Sequence, residues 1–323
     1  MRPGWFQSAG LLPRVLIGSF ALIIGTSGCA AFSVLPARSQ LRDLRVGQEH
    51  REYILHVPKS YRADRPAALV IMLHGHGARA QTFEASTGMS GKSNRDGFIV
   101  AYPQALGSPS VWHTGVDGSS RIDDVAFIQI LIDSIGAHYN IDPDRVYVAG
   151  HSNGAFMAYR VGSALSSIVA AIGISAGSIG KITSRGDTLR IRAPANPVSV
   201  IAFHGLADNT VPFNGGAEQD GPRRIVAAPQ SIRFWVTNDG CDSTPETTLL
   251  EAGNVTLDDY TGCKGGTEVA FYIIKDGTHK WPGDKAPWWH FWGNASHEPS
   301  ATDDMWSFFQ SHPRHGDTTS TTH

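Results

Sequence analysis

Gly150-His151-Ser152-Asn153-Gly154 follows the short apolar run Val146–Ala149 and leads into an amphipathic stretch, Ala155–Leu165. A serine spaced in this way between two glycines, after a strand and before a helix, sits on a strained turn. The residues two positions to either side must be small, because strand and helix pass close together there. The turn lifts the hydroxyl above the sheet edge, and the helix N-terminus beneath it favours developing negative charge. The pentapeptide alone could arise by chance in a chain with 35 glycines in 323 residues. Its setting between strand and helix makes it a nucleophile site.

The same alternation runs along the chain. Tyr53–Val57 alternates like a half-buried strand. Ala68–Leu73, Phe98–Ala101, Ala170–Ile174, Val198–Phe203 and Ala270–Ile274 are compact apolar runs, the pattern of buried parallel strands. Asp124–Tyr139 places Val125, Phe127, Ile128, Leu131, Ile132 and Ile135 on one helical face, with Asp123 or Asp124 as its cap, and Ala228–Val236 also reads as helix. Strands alternating with helices predict an α/β chain with a doubly wound, mostly parallel sheet. Apolar residues make up 41% of the chain and charged residues 17%, which suits a sizeable core and argues against wholesale disorder. No internal repeat is present. The expected organisation is a linker at 29–48, a single catalytic domain at 49–311 and a flexible polar tail at 312–323.

Residues 1–28 read as a secretory signal: Arg2 and Arg14, the uncharged apolar run Val15–Gly25, then small residues up to Cys29. Cys29 is read as a lipidation site, although Thr26 stands where such a motif prefers Leu, Val or Ile. A signal cut near Ala30 or Ala31, or an uncleaved anchor, is the alternative. The expected location is extracellular or at the cell envelope, with membrane contact only through that lipid. Of the three cysteines, Cys241 and Cys263 then remain, to form one bridge in an oxidising compartment or to stay as two buried thiols. A formal net charge of −2 with no long basic run speaks against a nucleic-acid partner. Nothing in the sequence fixes an oligomeric state.

A serine nucleophile needs a base and a group to orient it, in the chain order serine, acid, histidine. Asp208 stands in the loop after Val198–Phe203, and His279 in the loop after Ala270–Ile274. Catalytic loops gather at such strand ends in open α/β sheets. Asp239 and Asp276 are rival acids, but Asp276 is too near His279 to come from a separate strand end. His204 precedes the acid and fits better as a turn residue hydrogen-bonded to the acid loop. The oxyanion hole calls for two backbone N–H groups. Asn153, directly after the nucleophile, supplies one, and His76, in the loop Leu73-His74-Gly75-His76-Gly77, supplies the other. The His74/His76 pair raises a metal site, yet zinc hydrolases need three or four convergent ligands and no such spacing appears. No metal and no cofactor are expected. Trp281, Trp288, Trp289 and Trp292 crowd the segment after His279, and Trp112 lies in another loop at the sheet edge. Trp281 and Trp112 are assigned to substrate binding, as rings on which an aromatic acyl group, a sugar or a polymer could stack; core packing is the competing reading.

Taken together, L-H-G-H-G, D-D-V-A-F at Asp123–Phe127, G-H-S-N-G, H-G-x-x-D at His204–Asp208, Gly240-Cys241 and H-x-W-P-G at His279–Gly283 resemble the polyhydroxybutyrate-depolymerase and feruloyl-esterase group of carbohydrate esterases, and within it the LpqC-type lipoprotein esterases. The resemblance runs in order from about Arg51 to Arg314. It implies the α/β-hydrolase fold, Ser152 as nucleophile, Asp208 as acid, His279 as base and a Cys241–Cys263 bridge. Lys280 departs from it, standing where relatives often have a smaller uncharged residue. The expected activity is hydrolysis of carboxylic esters of short acyl or feruloyl type through an acyl-enzyme, with a small or polymeric ester as substrate. Polyester depolymerisation, acyl transfer of the mycolyltransferase kind, and non-catalytic surface binding are the alternatives; the complete triad argues against the last.

Overall fold

The computed structural model describes residues 36–115, 122–183, 185–217, 224–283 and 299–314. The chain opens with β1 (Ser39–Val46), β2 (Glu49–His56), β3 (Ala67–Leu73), α1 (Ala80–Thr87), α2 (Met89–Asp96) and β4 (Ile99–Pro103). It continues through α3 (Asp124–His138), β5 (Ile141–His151), α4 (Asn153–Ala164) and β6 (Ala171–Ser175). Two short strands, β7 (Gly180–Ile182) and β8 (Thr188–Arg190), precede β9 (Ser199–Gly205), and two more, β10 (Gly216–Ala217) and β11 (Arg224–Ile225), precede α5 (Ala228–Asp239). The last elements are β12 (Glu246–Leu250), β13 (Val255–Tyr260), β14 (Val269–Ile274) and α6 (Ala301–Ser311).

Ten strands form one sheet in the order β1-β2-β4-β3-β5-β6-β9-β14-β13-β12. The central run β4-β3-β5-β6-β9-β14 is parallel, and an antiparallel pair flanks it at each end. β3, β4, β6 and β9 are buried at every residue, which explains their unbroken apolar runs: parallel strands carry helices on both faces. Side chains alternate between those faces. Leu69, Ile71 and Val148 pack with Phe127 and Leu131 of α3, Val161 of α4 and Trp235 of α5. Val70, Met72 and Tyr147 pack with Phe83 of α1 and with Met305, Trp306 and Phe309 of α6. β7, β8, β10 and β11 make a separate four-stranded antiparallel sheet.

The structure moves both ends of the expected domain. Residues 39–46, assigned to a linker, form the edge strand β1, paired along its whole length with β2. Its exposed Gln40, Asp43 and Arg45 hid the strand pattern; charge on an edge strand discourages pairing with other chains. At the other end, His312 and Arg314 are docked rather than loose: His312 Nε2 lies 3.4 Å from Glu268 Oε2, and Arg314 reaches Asp144 Oδ1 at 2.8 Å. Cys241 and Cys263 form a disulfide that ties the end of α5 to the turn after β13, across a sequence separation of 22. Closing a loop of that size stabilises by about 3 kcal/mol in the chain-entropy account. Cys29, the signal region, Trp288, Trp289 and Trp292 lie outside the described residues. Among those described, no helix is long and apolar enough to cross a membrane.

Candidate active site

Ser152 occupies the junction of β5 and α4 with φ 54° and ψ −125°. An L-residue pays of order 1–3 kcal/mol for this backbone conformation, so the surroundings must enforce it. They do so on both sides. The Ser152 N–H donates to the Ser175 carbonyl at the end of β6 (2.9 Å), and the Ser152 carbonyl accepts from the N–H groups of Ala155 and Phe156 (2.8 and 3.1 Å). The flanking glycines are steric necessities. A Cβ on Gly150 would stand 2.2 Å from the Gly154 carbonyl oxygen, and one on Gly154 would stand 2.0 Å from that of Leu73.

Two further loops converge on this turn. His279, five residues past β14, places Nε2 2.9 Å from Ser152 Oγ and Nδ1 2.8 Å from Asp208 Oδ2. Asp208, in the loop after β9, has a fully buried side chain. Its Oδ1 accepts the N–H groups of Thr210 and Val211 at 2.9 and 2.8 Å, which leaves Oδ2 for the imidazole. Burial alone would raise its pKa, but the hydrogen bond and charge of His279 and the Val211 N–H hold it below the usual aspartate value. His204 donates from Nε2 to the Val211 carbonyl (2.8 Å) and so pins the acid loop.

The loop after β3 is held by a second set of contacts. Ala105 N–H donates to His74 Nε2 (3.1 Å), so Nδ1 carries the proton and donates to the Gly75 carbonyl (2.8 Å). Burial keeps this ring neutral, with its pKa lowered to about 4. His74 is thus a structural pin, and among the described residues no cluster of three His, Cys, Asp or Glu is placed to hold a metal. Trp112 is fully buried, contrary to its expected place in substrate binding. Its indole N–H donates to the His74 carbonyl (2.9 Å) and its backbone N–H to Asn153 Oδ1 (2.7 Å), while Asn153 Nδ2 donates to the Trp112 carbonyl (3.3 Å). Trp112 therefore clamps the start of α4 to the loop that carries His76. Among the described residues, the backbone N–H groups of His76 and Asn153 meet no acceptor. Asp124 supports the clamp from behind, accepting from Arg51 at 2.7 Å and from the His113 N–H at 2.8 Å.

A cavity of about 250 Å³ opens at Ser152, walled by His76, Phe83, His151, His279, Lys280 and Trp281 among others. Trp281 is only 3% exposed. Its ring meets Phe83 edge-on, with centroids 5.6 Å apart, and its N–H donates to Thr302 Oγ1 at 3.0 Å. It forms a packed wall of the cavity rather than an open stacking platform.

Residues 51–208, from β2 to the acid loop, match the family model described as Esterase PHB depolymerase. Over that region the chain carries the Esterase PHB depolymerase pattern, and in sequence it is similar to feruloyl esterases and to a polyhydroxyalkanoate depolymerase. Feruloyl esterase B of Piromyces equi is 30% identical over 246 residues, 75% of this chain and 44% of that protein, so the chain spans less than half of that relative's length. Poly(3-hydroxyalkanoate) depolymerase C of Paucimonas lemoignei is 26% identical over 289 residues, covering 85% of this chain and 68% of the relative. Among solved structures, an acetyl xylan esterase from Aspergillus awamori superposes with a TM-score of 0.58 at 14% identity, over 84% of this chain and 99% of that one. That likeness is one of fold, the α/β-hydrolase fold.

The rival acids stand elsewhere. Asp276 is hydrogen-bonded to Asn254 Nδ2 at 2.7 Å. Asp239 closes α5, fully buried, and burial raises its pKa to about 7 against the smaller opposing effects of the Val198 N–H and Lys264. The sign of the consequence is fixed. A carboxyl whose folded pKa lies above its unfolded value takes up a proton on folding, so stability falls as pH rises from about 4 to 7. In Asp239→Asn, the decline in Tm between pH 4 and pH 7 should be smaller than in the wild type, measured by thermal scans at both pH values. Ser175, His151 and Phe83 escaped the sequence reading; only His151, beside Ser152, lay within a motif that could have flagged it.

Proposed function

We propose that the chain hydrolyses short-acyl or single-ring aryl esters, with Ser152 as nucleophile, His279 as base and Asp208 as the group that orients it. The reading rests on the hydrogen-bonded line from Asp208 Oδ2 through His279 to Ser152 Oγ, at 2.8 and 2.9 Å, at the mouth of the cavity. His279 Nε2 takes the Ser152 proton as Oγ attacks the ester carbonyl carbon. The backbone N–H groups of His76 and Asn153 receive the oxyanion. The bond to the alcohol oxygen breaks, and His279 returns the proton to that oxygen. Water then attacks the acyl-enzyme, gives its proton to His279, and the acid leaves as Ser152 regains its hydrogen.

The cavity sets the acyl class. At about 250 Å³ it sits just below the usual ligand range of roughly 300–1,000 Å³, room for one short chain or one ring against the wall that Phe83 and Trp281 form. Polyester depolymerisation is the second reading, favoured by the similarity to the Paucimonas depolymerase, and uses the same steps. The proposed setting is the cell envelope, reached through a signal at 1–28 and a lipid on Cys29. The test compares initial rates on p-nitrophenyl acetate and methyl ferulate with clearing of a polyhydroxybutyrate suspension. Fast turnover of the soluble esters is the expected result. Rapid clearing with little soluble turnover would transfer the assignment to the polyester reading.

A further inference from the structure

The residue before the nucleophile has no part in the mechanism above, yet its side chain lies against the base. His151 ends β5 and pairs in register with Ser175, the last residue of β6. Ser175 is 1% exposed and serves both members of the elbow: its carbonyl accepts the Ser152 N–H at 2.9 Å, and its Oγ meets His151 Nδ1 at 3.1 Å. The imidazole so fixed lies 4.9 Å, centroid to centroid, from that of His279, with a tilt of 40°. Trp281 stands 6.5 Å from the same imidazole at 75°, and Trp281 in turn meets Phe83. The His279 ring therefore rests on a row of rings that runs back to α1. His151 itself is partly exposed to the cavity, where a core position would take an aliphatic side chain.

We propose that His151, braced by Ser175, is a positioning residue that stops the His279 ring from swinging away from Ser152. The proposal rests on His279 being the base. The hydrogen bond to Asp208 tethers Nδ1, but the ring can still tilt about its side-chain bonds, carrying Nε2 off Oγ. A ring packed against its face removes this freedom, and misplacement of a reacting group by about 1 Å costs on the order of 10²-fold in rate. The brace must be uncharged to sit beside a base that becomes an imidazolium. Burial first, and the neighbouring His279 second, push His151 far below the ordinary histidine value, to about 3.

The experiment is a kcat and KM series on p-nitrophenyl acetate with His151→Ala, His151→Phe and Ser175→Ala, each checked for folding by its Tm, and with His279→Ala alongside. A mobile base slows chemistry without weakening binding. His151→Ala should therefore lower kcat roughly 10- to 100-fold with KM within about twofold, and His151→Phe, which keeps a ring in place, should recover most of the loss. Ser175→Ala, which retains the carbonyl that accepts the Ser152 N–H, should lower kcat about fivefold with the same unchanged KM. Wild-type kcat in a folded His151→Ala would overturn the proposal, as would a rise confined to KM, the mark of a substrate contact. A folded His151→Phe as slow as His151→Ala would overturn it too. Should His151→Ala not fold, Ser175→Ala decides: unchanged kcat overturns the brace. Activity surviving in His279→Ala would instead strike the triad beneath it.

Discussion

Ser152→Ala should lower kcat for p-nitrophenyl acetate by roughly 10⁴ or more, leaving the residual catalysis that an oxyanion hole and substrate binding supply on their own. The substitution removes the one oxygen that His279 Nε2 meets across 2.9 Å and little else. The turn is held by backbone groups: the Ser152 N–H on the Ser175 carbonyl and the Ser152 carbonyl on two amides of α4. Alanine keeps all of these and bears the same φ of 54° as serine does. The expected pattern is therefore a nearly unchanged Tm with activity lost, together with loss of labelling by a fluorophosphonate probe that modifies the wild type. More than a tenth of wild-type activity in a folded variant would sink the assignment. So would a wild-type chain that the probe does not label, which would return the surface-binding reading to consideration.

The sequence carried the central sheet and the converging loops because both are written in local patterns. Strands buried on both faces must be apolar throughout, and the elbow must place glycines at 150 and 154, where a Cβ would strike backbone. The edges were harder. β12 exposes four of its five residues and none of the eight in β1 is buried, so no buried run marks them, and only pairing with neighbours defines them. α1 is short and weakly patterned, yet it supplies Phe83 to the cavity. The tryptophans show where composition misleads. A ring near a motif reads equally as wall, clamp or platform, and the distinction lies in what its N–H meets: the His74 carbonyl for Trp112 and Thr302 for Trp281. The side chain of Asn153 was likewise silent. Its position called for a backbone donor, while its amide proves to be the tie between α4 and Trp112.

Asp208→Asn should lower kcat by roughly 10⁴ with KM little changed, because an amide in that position selects the wrong histidine tautomer. Two backbone N–H groups, from Thr210 and Val211, point at Oδ1, so the asparagine oxygen must turn toward them. Its NH₂ then faces His279 Nδ1 at the place where Asp208 Oδ2 now lies 2.8 Å away. Nδ1 becomes an acceptor, the ring proton moves to Nε2, and a protonated Nε2 has no lone pair to take the hydrogen of Ser152. The lost charge acts in the same direction, since no carboxylate remains to stabilise the imidazolium. Stability should follow as well. A carboxylate held below its ordinary pKa stabilises the fold above the unfolded value near 4 and loses that contribution as pH falls through the folded value, so the variant should be less stable than the wild type at pH 7, with the gap narrowing as pH falls below about 4. Asp276→Asn alters a carboxylate bonded to Asn254, and Asp239→Asn one buried at the end of α5; both should keep kcat within about twofold. If Asp276→Asn is the more damaging change, the acid has been misassigned, and the line from Asp208 to Ser152 is a structural hydrogen-bond chain without a catalytic role.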